Sequence, residues 1–217
     1  VVDSRVLVDG KQLFPKDSPP TLQTVLAIDG SMNSHLDLPA RQMRLGSKGT
    51  TIEFQGLEGT LTTDRGFTKS RVTMNSPGAD VMENGTEVLR IGAMRLDSNG
   101  QRSAEGLMLG NGTLKLTHLW AGNGKAIEIF SVDDITVTAE SHAEGDKVTG
   151  TMTTAVKTVK AGERRYGKSE ISISMGNLYA PVLIKIQQAL EEVRTQNIDP
   201  QMQGIAVAST WMTPATL

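Results

Sequence analysis

There is no cysteine among the 217 residues. That rules out a disulfide framework and a thiolate zinc site, and it suits an oxidising compartment where stray thiols are a liability. Aromatic residues are scarce, at 4%. Neither sign of charge dominates, with 22 basic against 24 acidic residues. A nucleic-acid binder normally carries a basic stripe and stacking aromatics, so that class is set aside. No apolar run approaches the roughly 20 residues that a membrane-spanning helix needs, and no secretory leader is visible. The chain opens Val1-Val2-Asp3 without Met, as an internal piece of a longer protein would.

What is plentiful is glycine beside a turn-forming partner. Asp29-Gly30, Arg65-Gly66, Pro77-Gly78, Asn84-Gly85, Asn99-Gly100, Asn111-Gly112, Asn123-Gly124 and Glu144-Gly145 recur along the chain. Asn-Gly tolerates the positive φ of a type I′ turn, so these pairs predict hairpins. Between them, apolar and polar residues alternate. Ile171, Ile173 and Met175 share one parity against Ser172 and Ser174. Ile135, Val137 and Ala139 alternate with Thr136 and Thr138, and Ile52 and Phe54 with Thr51, Glu53 and Gln55. Leu114, Leu116, His118 and Trp120 alternate with Thr113, Lys115 and Thr117. No helix buries such sets on one face.

The expected fold is mainly β: an antiparallel meander of about eight to twelve strands, forming a curved one-faced sheet or a sandwich. One face is Ile, Leu, Val and Met; the other is Thr, Ser, Lys and Glu. The length permits a real core without metals or cross-links. An apolar face of this kind needs a cover, whether a second sheet, its own curvature, a helix or a ligand.

One amphipathic helix is signalled at about 181–197. Pro181 suits a first helical position and Asn177 offers an entry or cap. Val182, Leu183, Ile186, Ala189, Leu190 and Val193 form its stripe, against outward Lys185, Gln188, Glu191, Glu192 and Arg194. The expected role of the stripe is to cap the sheet, with a lid or a dimer surface as the rival. Residues 1–21, with Pro15, Pro19 and Pro20, read as an extended segment or edge strand. Residues 22–208 form a single β-rich domain, in which 204–208 could start a further strand, and 209–217 a loose tail.

No chemical motif emerges. His35, His118 and His142 lack metal-ligand spacing, and His118 lies on the apolar parity beside Trp120, as a hydrogen-bonded core histidine would. Asp133-Asp134 face opposite sides of a regular strand and cannot work as an acid and base pair without a bulge. Asp97-Ser98-Asn99-Gly100 lacks the later ligands of a calcium loop and reads as a hairpin turn. Gly122-Asn123-Gly124-Lys125 lacks the spacing of a phosphate loop. There is no Gly-x-Ser-x-Gly elbow, and the sequons at Asn84 and Asn111 read as turns. The basic cluster Lys157, Lys160, Arg164, Arg165 and Lys168, interrupted by Glu163, reads as a solvated hairpin. No enzyme, metal or cofactor is expected.

The stretches Val25-Leu26-Ala27-Ile28-Asp29-Gly30, Leu36-Asp37-Leu38-Pro39-Ala40 and Ile52-Glu53-Phe54-Gln55-Gly56-Leu57-Glu58-Gly59 resemble the YdgA-type family of bacterial proteins of unknown function. Residues 127–135 and the helix around Leu183 to Val193 also fit that family's middle. The resemblance implies a periplasmic domain anchored to the bacterial inner membrane through a segment outside this chain. It brings no catalytic residues.

The resulting expectation is a non-enzymatic cell-envelope domain that binds lipid or another apolar ligand on the concave face of its sheet. Ile171, Ile173, Met175, Leu183, Ile186 and Leu190 are the candidate lining. The alternative is a scaffold that self-associates as a homodimer through an edge strand or the helix stripe.

Overall fold

The computed structural model describes residues 7–8, 11–12, 19–45, 49–123 and 127–195. Strands β1 (Leu7–Val8) and β2 (Lys11–Gln12) pair with each other. All later strands belong to one 15-stranded antiparallel sheet. In chain order they are β3 (Thr21–Leu26), β4 (Met32–Leu38), β5 (Arg41–Leu45), β6 (Thr50–Phe54), β7 (Leu57–Thr63), β8 (Lys69–Ser76), β9 (Ala79–Glu83) and β10 (Thr86–Ile91). Next come β11 (Met94–Arg102), β12 (Met108–Gly122), β13 (Glu128–Glu144), β14 (Lys147–Val156), β15 (Thr158–Ala161), β16 (Arg164–Tyr166) and β17 (Ser169–Tyr179). Helix α1 (Ala180–Thr195) follows without a loop. The edges β3 and β17 do not meet, so the sheet is not a closed barrel.

The register reveals a simpler plan. Leu38 lies opposite Leu57 and Arg41 opposite Phe54, so three steps forward on one side match three back on the other. Ser76 opposite Met94 and Ala79 opposite Ile91 repeat this, as do Met94 opposite Leu116 and Ile91 opposite Leu119. Thr136 and Asp133 on β13 continue it against Ala155 and Thr158. No residue is gained or lost across these breaks. The strands therefore merge into nine long runs: 21–26, 32–45, 50–63, 69–83, 86–102, 108–122, 128–144, 147–161 and 164–179. At about 3.3 Å per residue the 15-residue β12 alone extends about 50 Å.

The breaks align in one bend that crosses the sheet. Pro39 has no N–H to give the ladder. Gly56, Gly78 and Asp134 hold φ of 103°, 132° and 51°. A Cβ on Gly78 would lie 2.2 Å from the Ile91 carbonyl oxygen, so the neighbouring backbone needs that gap. At the bend the Gly92 N–H donates to the His118 carbonyl and the Thr117 N–H donates to the Ala93 carbonyl. These are successive residue pairs, whereas a regular antiparallel ladder bonds alternate pairs. Side-chain alternation therefore slips by one residue at the bend.

The slip matters because apolar parity flips at the same place. On β12 the apolar residues are Leu114 and Leu116 before the bend, then Leu119 and Ala121 after it. Two flips cancel, and one side of the sheet stays apolar throughout. That side is the inner one. Ser34, Gly59, Thr63 and Ser76 on it are buried, while His35, Glu58, Thr62 and Asn75 on the other side are exposed. From these strands to the bend the sheet thus curls with its apolar side concave; past the bend Ser131 and Thr158, on the polar side, are buried as well.

Several sequence readings are corrected. Asn99-Gly100 and Asn111-Gly112 are not turns; they face each other in the middle of the β11–β12 ladder. The turn joining those strands is at Ser103 to Gly106 instead, with Gly106 at φ 94°. His118 and Trp120 lie on the polar side, since the slip reverses the parity read from Leu114. Asn177 does not cap the helix: it sits within β17 at φ 57°, and α1 starts at Ala180, whose N–H donates to the Asp146 carbonyl. The expected core is minimal. Among the described residues the buried apolar side chains are Leu107, Val132, Val148 and Ala180. The readings of 1–6, 13–18, 196–197, 204–208 and 209–217 lie outside the described residues, as does most of the Gly122–Lys125 loop.

Candidate functional site

The concave side is built by rows that cross the strands. One row runs Leu36, Gly59, Met74, Leu96, Leu114, Val137, Thr154, Ile171 in direct register. The next toward the hairpin ends is Ser34, Leu61, Val72, Ser98, Gly112, Ala139, Met152, Ile173. Such β-branched and aliphatic neighbours favour a pleated, half-buried surface. Yet no second layer lies on it among the described residues, and no large side chain there is fully buried.

Exposure grows toward the edge. Met152 is 45% exposed, Ile173 52%, Met175 58% and Ile171 66%. The structure thus places Ile171, Ile173 and Met175 together on the concave side of the edge strand. Leu183 goes elsewhere. With Ile184, Leu109 and Leu178 it packs on the small buried cluster of Leu107, Val148 and Ala180. Helix α1 therefore packs at the hairpins of Leu107 and Val148 and leaves the apolar rows open. Ile186 is half-buried on α1, and the side chain of Leu190 lies outside the described residues.

A third row was not read from the sequence. Thr63, Ser70, Gly100 and Gly110 lie in register near the hairpin ends. Ser141 continues the row, its hydroxyl accepting from the Gly110 N–H at 3.1 Å, and Gly150 stands opposite Ser141. A hollow of about 570 Å³ lies beside it, lined by Ser70, Gly100, Gly110, Leu96, Leu114 and Val137 among others. Glycines within long alternating runs, at a constant distance from each hairpin, are the signal that could have revealed it.

The convex side is polar and cross-linked. His118 Nδ1 lies 2.6 Å from Asp133 Oδ1, and Lys157 Nζ 3.0 Å from Asp134 Oδ2. The two carboxylates part: Asp133 pairs with His118 and Asp134 with Lys157, whose pKa is raised by its hydrogen bond to Asp134 first and by the charge of Asp133 last. Lys160 pairs with Glu128 at 3.0 Å and is the main cause holding that carboxyl below its usual range, with Ser131 and Trp120 adding hydrogen bonds. These contacts lie in the open and bond their own neighbours. Among the described residues no group of three His, Asp or Glu side chains converges as metal ligands. No described helix is long and apolar enough to cross a membrane.

A family model described as a bacterial protein of unknown function, DUF945, matches residues 7–216. The chain belongs to that family. This agrees with the YdgA-type resemblance drawn from residues 25–61 and the later segments. Comparison with curated proteins finds no match, and comparison with solved structures finds none.

Proposed function

We propose that this chain is a non-enzymatic domain of the bacterial cell envelope, working in the periplasm, whose concave sheet shelters lipid acyl chains. The observation that carries this reading is the run of apolar rows from β4 to β17 with no described element laid over them. Each methylene moved from water onto such a surface contributes about 0.8 kcal/mol, so a long acyl chain supplies the missing layer. A membrane anchor outside this chain would hold the trough near its lipid source.

Native mass spectrometry of the protein, purified from a bacterial envelope with its anchor intact, tests the reading. An adduct with the mass of a phospholipid or fatty acid is expected. A clean monomer would remove it.

A second reading rests on β17. Its residues are nearly all exposed and its outer edge pairs with nothing among the described residues. Such an edge can accept a strand from a second copy, which would make the domain a self-associating scaffold. Light scattering separates the two readings, since only the scaffold gives a mass that rises with concentration.

A further inference from the structure

The small-residue row differs from the apolar rows in one respect: it offers hydrogen bonds that the protein does not use. Thr63 is only 8% exposed, and its hydroxyl is enclosed without a hydrogen-bond partner among the described residues. A buried polar group of this kind is normally satisfied. By strand alternation it points to the same side as Leu61 and Gly59. Directly opposite stands Ser70, whose hydroxyl has no partner among the described residues either and lies over Gly100, 2.9 Å from where a Cβ would be. The other hydroxyls nearby are engaged, Ser98 with the Asn111 carbonyl and Ser141 with Gly110.

Charge adds a second constraint. Between the bend and this row alternation puts no charged side chain on the concave side, and Glu140, on the convex parity, is the one charged residue bordering the hollow. One row further out, at the rim, alternation brings Arg102 to that side, exposed and without an ion-pair partner among the described residues. Two residues along a strand span about 6.7 Å. A ligand seated here thus meets apolar surface, then two hydroxyls, then one cation, in that order.

We propose that this end of the trough receives a glycerophospholipid, with Thr63 and Ser70 donating to its acyl ester carbonyl, Arg102 facing its phosphate, and the acyl chain lying along Leu96, Leu114 and Val137. This rests on the acyl-binding reading above and adds a polarity to it: the headgroup points to the hairpin ends and the chain to the bend. Met108, whose methyl lies over Gly100, is an unbranched side chain able to move aside for the ligand.

The test compares three single-chain probes, 1-oleoyl-lysophosphatidylglycerol, monoolein and oleate, with an apolar fluorescent dye as the reference for the trough itself. The doubly substituted Thr63→Val/Ser70→Ala chain should lose about three- to tenfold in affinity for both ester probes, the size of one or two neutral hydrogen bonds, and keep its dye affinity. Arg102→Gln should weaken the lysophospholipid alone and flatten its salt dependence. Thr63→Ser retains the hydroxyl, so it should keep the affinity and guards against a packing artefact. Unchanged ester binding in the double variant overturns the assignment, as does equal loss of dye and esters. Tightest binding by oleate overturns the ester in favour of a free carboxylate. A wild-type chain that binds the dye but none of the lipids overturns this proposal alone, and one that binds neither removes the acyl-binding reading with it.

Discussion

The two sides of this sheet share every backbone hydrogen bond and differ in almost everything else. On the convex side, neighbouring strands are tied by side chains: Arg71 to Asp97, Arg90 to Asp80, His118 to Asp133, and the hydroxyl pairs Thr60–Thr73, Thr151–Ser174 and Thr153–Ser172. Each tie is exposed or half-exposed and contributes little alone, but together they fix register. On the concave side the side-chain hydrogen bonds are fewer and mostly meet backbone of the neighbouring strand, as where the Ser76 hydroxyl donates to the Gly56 carbonyl. The aliphatic rows there meet no opposing layer. In a single-layer sheet one side holds the strands together and the other is left to be covered from outside.

The sharpest way to break this division is to fill the small-residue row. A Cβ on Gly110 would fall 2.0 Å from the Asn99 carbonyl oxygen, which is backbone and cannot rotate away. Gly110→Ala should therefore destabilise by up to about 3 kcal/mol in urea denaturation. An unchanged midpoint would mean that β11 and β12 sit further apart than described.

A charge in the middle of the aliphatic rows should be felt less by the fold and more by the ligand. Leu114→Glu sets a carboxylate among Leu96, Val137 and Leu116 with no cation in reach. Apolar dye binding should fall more than about tenfold, because seating the dye would strip water from an unpaired charge. Lys115→Glu, one residue along but convex, is the control and should leave the dye alone. If both variants behave alike, the two sides are not distinct.

The bend shows how far the sequence could be read. Strand parity, hairpins such as Asn84-Gly85 with φ of 51° and 79°, and the helix after β17 followed from local chemistry. The position of His118 did not, because alternation was carried unbroken through Thr117. Nothing in Leu114-Lys115-Leu116-Thr117-His118 signals a slip; its cause lies on neighbouring strands, at Pro39, Gly56, Gly78 and Asp134. Asn99-Gly100 and Asn111-Gly112 misled for a related reason. Their turn chemistry is genuine, but each pair is held extended by two flanking strands, and the ladder outweighs local preference. That Ile171, Ile173 and Met175 share one side of β17 followed from parity alone. Leu183 was misplaced because a helix stripe does not say which surface it will meet.

His118 itself tests the convex side at the bend. Its contact with Asp133 is half-exposed, so His118→Ala should cost only about 0.5–1 kcal/mol in thermal or urea unfolding. Dye binding on the opposite side should not change. A loss well above that range would make the bend a stability centre and the convex network more than a set of small ties.

The smallest effect is a titration. Glu128 is held below the usual carboxylate range chiefly by Lys160, then by Ser131 and Trp120. For a carboxyl whose folded value is depressed, the stabilising contribution is present above its ordinary value, 4.5 here, and is lost as pH falls through the lower folded value. Lys160→Met should therefore raise the Glu128 midpoint in a carbon-detected NMR titration and slightly reduce the acid sensitivity of unfolding between about pH 3 and 5. Stability at pH 7 should stay within error, since the Lys160 side chain is 44% exposed and solvent already screens the pair. A midpoint unmoved by the substitution would show that the convex ion pairs do not hold in solution. Curvature would then rest on the ladder and the bend alone.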